Sequence, residues 1–98
     1  MTDSHAEYVA LCNNAIHEAI KLAERYREAG NDGMVRMAGT AQHVLEVERN
    51  QAVNNDVADS ERFGFGPGRF AGDTDWGPEG DAMLDAIREM QLYWREHF

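Results

Sequence analysis

The chain has 98 residues with 9 Lys+Arg against 18 Asp+Glu, a formal net charge of −9 with histidine neutral. A chain of this length holds one hydrophobic core, because a second could not bury enough surface to offset the entropy of folding, and its acidity repels a phosphate backbone, which argues against direct nucleic-acid binding. No apolar run approaches the roughly 18 residues of a membrane span, and the N-terminus MTDSHAEY lacks the basic and then apolar regions of a signal peptide, so a cytoplasmic protein without membrane contact is expected.

Ser4 followed by Glu7 is a capping-box pattern that predicts a helix start. Tyr8, Leu11, Cys12, Ala15, Ile16, Ala19, Ile20, Ala23 and Tyr26 then follow the three-and-four spacing of one buried face, and Gly30 supplies a positive-φ stop, giving a first helix at about 4–29. The lone cysteine, Cys12, sits on this face and reads as a small buried apolar residue, not a reactive thiol. Asn31-Asp32-Gly33 is a short turn that makes the next helix antiparallel to the first. That second helix, about 32–54, has Met34, Met37, Ala38, Ala41, Val44 and Leu45 as its face, with Val35 and Val47 on the flanks. Its small alanines permit close approach to the first helix.

The chain then changes character. The stretch 56–81 holds six of the nine glycines and both prolines, Pro67 and Pro78. Ser60 could cap a short helix carrying Phe63 and Phe70 inward, but Gly64, Gly66 and Gly68 each cost about 1 kcal/mol relative to alanine and an interior Pro67 about 3 kcal/mol. A short or broken helix followed by an acidic turn is expected in this elbow, 56–77. Phe63, Phe65, Phe70 and Trp76 are too many aromatics for a free linker, so some of them dock on the bundle. Pro78 suits a first helical turn, with Glu79 and Asp81 at the positive end of the dipole, and Met83, Leu84, Ile87, Met90, Gln91 and Trp94 carry a last helix over 78–97. Because two helices cannot cover each other's apolar faces, the last helix is expected to pack across both. The fold class is all-α: a small antiparallel bundle in one domain, 1–98, with three long helices and a short third element in a Gly/Pro-rich acidic elbow.

Charge is not spread evenly. Residues 1–30 carry 3 basic and 5 acidic side chains, 31–55 carry 2 and 3, 56–85 carry 2 and 8, and 86–98 carry 2 and 2, so −6 of the net −9 lies in the elbow and the turn of helix after it. A basic protein partner fits that distribution, although acidity also serves solubility alone. Gly66, Gly68 and Ala71 match the letters of the dinucleotide pattern G-x-G-x-x-A, but no strand precedes them. His5, His17, His43 and His97 include no i, i+4 pair and no Glu-x-x-His, and His43 with Glu46 reads as solvated surface. Asp73 and Asp75 lack the spaced ligands of a calcium loop. No catalytic residue, metal site or cofactor is therefore assigned, and an enzyme is the class least favoured.

The order of a long helix, a second long helix, a short third element, an acidic turn and an aromatic-rich last helix resembles small bacterial immunity proteins that neutralise NAD(P)-glycohydrolase effectors of type VI secretion. The resemblance rests on Glu7-Tyr8-Val9, on Ala71-Gly72-Asp73-Thr74-Asp75 and on Leu84 to Trp94, and it spans nearly the whole chain. It departs at Gly64-Phe65-Gly66-Pro67-Gly68, where the family has a continuous helical turn. It implies a non-enzymatic protein that blocks a toxin's cleft.

Three classes stay open: an immunity protein or antitoxin bound to a cognate toxin, another acidic inhibitor or adaptor such as a phage-encoded nucleic-acid mimic, and an oligomeric structural bundle, a homodimer among them. For the first, the candidate contact set is Asp73, Asp75, Trp76, Glu79 and Asp81, with Arg69. The acids would steer the encounter with a basic cleft and Trp76 would be the desolvated anchor, unless its ring instead packs the elbow onto the bundle.

Overall fold

In the computed structural model, which describes residues 2–98, the chain forms helices α1 (Asp3–Glu28), α2 (Asp32–Val53), α3 (Gly66–Gly72) and α4 (Asp81–His97), with one 3₁₀ turn, Pro78–Gly80, leading into the last. No strand occurs among the described residues, and the fold is all-α. At 1.5 Å per residue the 26 residues of α1 run about 39 Å, close to the 41 Å long axis of the molecule.

Helix ends are set by local chemistry. The N-cap of α1 is Thr2 and not Ser4: the Thr2 hydroxyl accepts the His5 amide at 3.2 Å. The earlier start brings Asp3 into the first turn, where the dipole favours a carboxylate. At the other end Gly30 adopts φ +73°, the Asn31 N–H donates to the Tyr26 carbonyl and the Gly30 N–H to that of Arg27, closing a Schellman motif. Asn31 then opens α2, its Oδ1 accepting the Met34 amide at 3.2 Å. α2 closes with the same pair of bonds, from Asp56 to Gln51 and from Asn55 to Ala52, and Asn55 takes the left-handed position at φ +56°.

α1 and α2 form an antiparallel hairpin with Ala15, Ala19, Ala38 and Ala41 all buried between the elements. Buried positions on α1, namely Tyr8, Cys12, Ala15, Ala19, Leu22 and Tyr26, alternate spacings of four and three, with Ile16 beside them. That seam selects Leu22 over Ile20, which is 37% exposed and stands outside the core, contrary to the expectation above. Val47 and Val53 of α2 are likewise exposed.

α4 corrects another expectation. It packs along α1, antiparallel to it, and its backbone does not approach that of α2. The groove between α2 and α4 is filled by the elbow, which descends antiparallel to α4. Its upper end is tied by Trp94 Nε1, which donates to the Ala58 carbonyl at 2.8 Å, and by the Ser60 amide on the Phe98 carbonyl at 3.0 Å. Its lower end reaches the hairpin turn, where the Tyr26 hydroxyl donates to the Trp76 carbonyl. The third layer is thus a seven-residue helix inside a much longer irregular path.

Within the elbow Ser60 caps no helix. α3 starts after Phe65, and Pro67 lies in its first turn, where it removes no intrahelical bond. Phe63 is 59% exposed, and the ring that goes inward is Phe65, tilted against Trp94 with centroids 5.2 Å apart. Phe70 is half-buried beside Trp76.

Candidate functional site

Asp56, Asp59, Glu61, Asp73, Asp75, Glu79, Asp81 and Asp85 are all exposed. Among the described residues only Asp85 of this set makes an ion pair, a loose one to Arg88 at 3.9 Å. Arg62 and Arg69 are exposed as well, and neither neutralises an elbow acid. The elbow therefore presents an outer surface whose negative charge is not balanced internally.

Local folding explains where each candidate falls. Asp73 is the C-cap of α3, and Arg69 lies one turn earlier on the same helix, with its side chain against Gly64. Asp75 Oδ1 accepts the Gly77 amide at 3.1 Å, forming a turn that Gly77 completes at φ +68°. Glu79 projects from the 3₁₀ turn and Asp81 from the first turn of α4.

Trp76 is the exception among the candidates. Its side chain is 3% exposed, its Nε1 donates to the Ala71 carbonyl at 3.0 Å, and Gly80 lies so close that a Cβ there would stand 2.2 Å from Trp76 Cβ. The ring packs the elbow onto the bundle and is unavailable as a surface anchor. An indole between Asp75 and Gly77 has enough apolar area to be drawn inward even in the most acidic part of the chain.

Asp75, Trp76 and Glu79 come together around a recess of about 420 Å³ whose remaining walls are Tyr26, Ala29, Asn31, Met34 and Gly77. Asp73, Asp81 and Arg69 lie outside it. The hairpin residues of this wall carry no separate signal in the sequence, because Tyr26 and Met34 read there as core positions and Asn31 as a turn. Burial, then the charges of Glu79 and Asp75, raise the Tyr26 phenol above its ordinary value, which puts both carboxylates within electrostatic reach of its oxygen. A second hollow of about 290 Å³ lies between α3 and α4, lined by Gly68, Ala71, Leu84, Ile87 and Arg88 among others, and no acid borders it.

Elsewhere, polar chemistry is sparse. Tyr8, fully buried, donates to Glu48 Oε1 at 2.8 Å, and burial raises the Glu48 carboxyl while that hydrogen bond partly lowers it. Burial, followed by the Glu48 charge, pushes the Cys12 thiol up to about 12, so it stays protonated at neutral pH. Among the described residues no three His, Cys, Asp or Glu side chains converge as a metal site, and His17, His43 and His97 are exposed. Gly66, Gly68 and Ala71 lie inside α3 itself, without the strand-to-helix turn that a pyrophosphate needs. Among the described residues no helix is long and apolar enough to cross a membrane. Comparisons with family models, with curated proteins and with solved structures return no match.

Proposed function

We propose that this chain is a non-enzymatic cytoplasmic protein that binds and blocks a basic protein partner, in the manner of an immunity protein or antitoxin, with the outer face of the elbow as its contact. One observation carries this: the elbow's acids stand exposed and almost entirely without cations, on a segment that Phe65 and Trp76 anchor into the core. A surface of this kind draws a basic cleft into encounter and disfavours acidic competitors. The family resemblance supplies the particular partner, an NAD(P)-degrading toxin. The contact set is Asp73, Asp75, Glu79 and Asp81, with Arg69 at its edge, and Trp76 holds this surface in place from beneath.

The test is co-purification with the product of the adjacent gene, followed by assay of that product's NAD(P) hydrolysis. Stoichiometric inhibition by the wild-type chain, relieved by Asp73→Lys with Asp75→Lys, is expected. A neighbouring product that neither binds nor is inhibited removes the toxin reading, and inhibition that survives charge reversal moves the contact off the elbow.

A further inference from the structure

We propose that the recess beneath the elbow receives a single arginine side chain of the partner, an inference that rests on the docking role assigned above to the elbow. The recess, of about 420 Å³, is an open-mouthed hollow at one end of the bundle. Its polar lining is almost entirely accepting. Tyr26, 7% exposed, commits its one hydroxyl hydrogen to the Trp76 carbonyl, so its oxygen can only accept. Asp75 has one carboxylate oxygen on the Gly77 amide and the other free, and Glu79 has no ion-pair partner among the described residues. The Trp76 indole N–H is spent on the Ala71 carbonyl, which leaves the Asn31 amide as the one side-chain donor in the wall without an assigned acceptor.

The negative charge at this hollow comes from side chains: Asp75 and Glu79 flank it, while the C-terminal end of α1 at Ala29 and the N-terminal end of α2 at Asn31 bring opposing helix-dipole poles to its rim. The complement is a long side chain with an apolar stem for Met34, a positive head and several fixed donors. Arginine meets that description better than lysine, since its planar fork presents five N–H groups to separated acceptors and tolerates an aromatic wall, whereas an ammonium is a compact and strongly hydrated point charge.

The experiment is an amide and indole NMR titration of the isotope-labelled full chain at low ionic strength, with the blocked peptides acetyl-Gly-Xaa-Gly-amide in which Xaa is arginine, lysine or citrulline. Saturable shifts centred on the Asn31 and Gly77 amides and the Trp76 indole are expected with arginine, with several-fold weaker binding for lysine and none for neutral citrulline. Asp75→Asn with Glu79→Gln should abolish the arginine response while the remaining spectrum stays folded, and Asp73→Asn with Asp81→Asn, outside the recess, should leave it intact. Equal response to lysine and arginine, or shifts scattered over Asp56, Asp59 and Glu61, would overturn the assignment of the recess while leaving the elbow as the docking face. If hexa-arginine, added as a control, moves no elbow resonance at all, both are lost.

Discussion

The α1–α4 interface and the elbow bury side chains of similar size by different physical means. Along α4, Met83, Ile87, Met90 and Trp94, with Ala86 beside them, repeat every three or four residues and meet the alternating seam of α1, so backbone hydrogen bonds are satisfied within each helix and the side chains have only to pack. The elbow has no such repeat. It buries Phe65, Pro67, Ala71 and Trp76 along an irregular path, and its backbone is tied down by individual bonds: Trp94 to Ala58, Trp76 to Ala71 and Tyr26 to Trp76. Periodic burial spreads its contacts evenly along both helices. Burial by anchor residues concentrates the loss at a few positions, and frees the other side of the segment to carry charge.

That contrast is sharpened first by removing an anchor. Trp76→Ala should cost about 3–5 kcal/mol, the range for emptying a buried large aromatic site, and should expose the elbow amides to hydrogen exchange before those of α1 and α4. Uniform loss of protection across the chain would mean that the elbow and the helices unfold as one unit. Within the periodic part, Ile87→Ala should cost about 2–5 kcal/mol, whereas Ile20→Ala, on the solvent side of α1, should cost under about 0.5 kcal/mol. Chemical denaturation of the two variants measures the difference, and equal losses would put Ile20 back in the core.

Glycine gives a finer comparison of the two regions. Gly80→Ala should destabilise by about 1–3 kcal/mol, because its new methyl would meet the Trp76 Cβ, which is fixed to backbone and cannot swing away. Gly39 is the opposite case: it lies exposed in the interior of α2, and a methyl added there would meet nothing within 4 Å, so Gly39→Ala should stabilise by about 0.5–1 kcal/mol through helix propensity. Melting temperatures moving in opposite directions would bear out both assignments.

The smallest effect expected is electrostatic. Burial raises the folded-state pKa of Glu48 above its ordinary value of 4.5, so folding favours the protonated carboxyl. Its contribution to stability is complete below the unfolded value and is lost as pH rises through the folded one. Glu48→Gln keeps an acceptor for the Tyr8 hydroxyl without the charge. It should be slightly more stable than wild type at pH 7, by less than about 1 kcal/mol, and the gap should close as the pH falls toward the ordinary carboxyl range. A gap that widens on acidification would reverse the sign assigned to this pair.

The two regions also differ in how far they can be read from residues alone. The long helices are legible because apolar periodicity, Gly30 and Pro78 are local signals, and the stripe of α4 appears in the structure where its spacing places it. Ile20 is misread because a three-and-four pattern admits two neighbouring stripes, and only contact with α4 and α2 selects the seam through Leu22. The elbow is opaque for a related reason. Choosing Phe65 over Phe63 depends on the Trp94 ring beside it, and the inward turn of Trp76 depends on the absence of a Cβ at Gly80, both of which are tertiary facts. The acidic face is visible in composition, whereas the recess is not, since half of its wall comes from the hairpin turn more than forty residues earlier in the chain.

On the proposed function, the elbow holds the fold from its inner side and meets its partner from its outer side. The association rate of the co-purified partner with wild-type chain and with the Asp73→Lys, Asp75→Lys variant, measured across ionic strength, tests this most directly. The reversed variant should melt like wild type yet associate more slowly by on the order of tenfold at low salt, with the two rates converging as salt screens the charges. Identical rates at every ionic strength would contradict it.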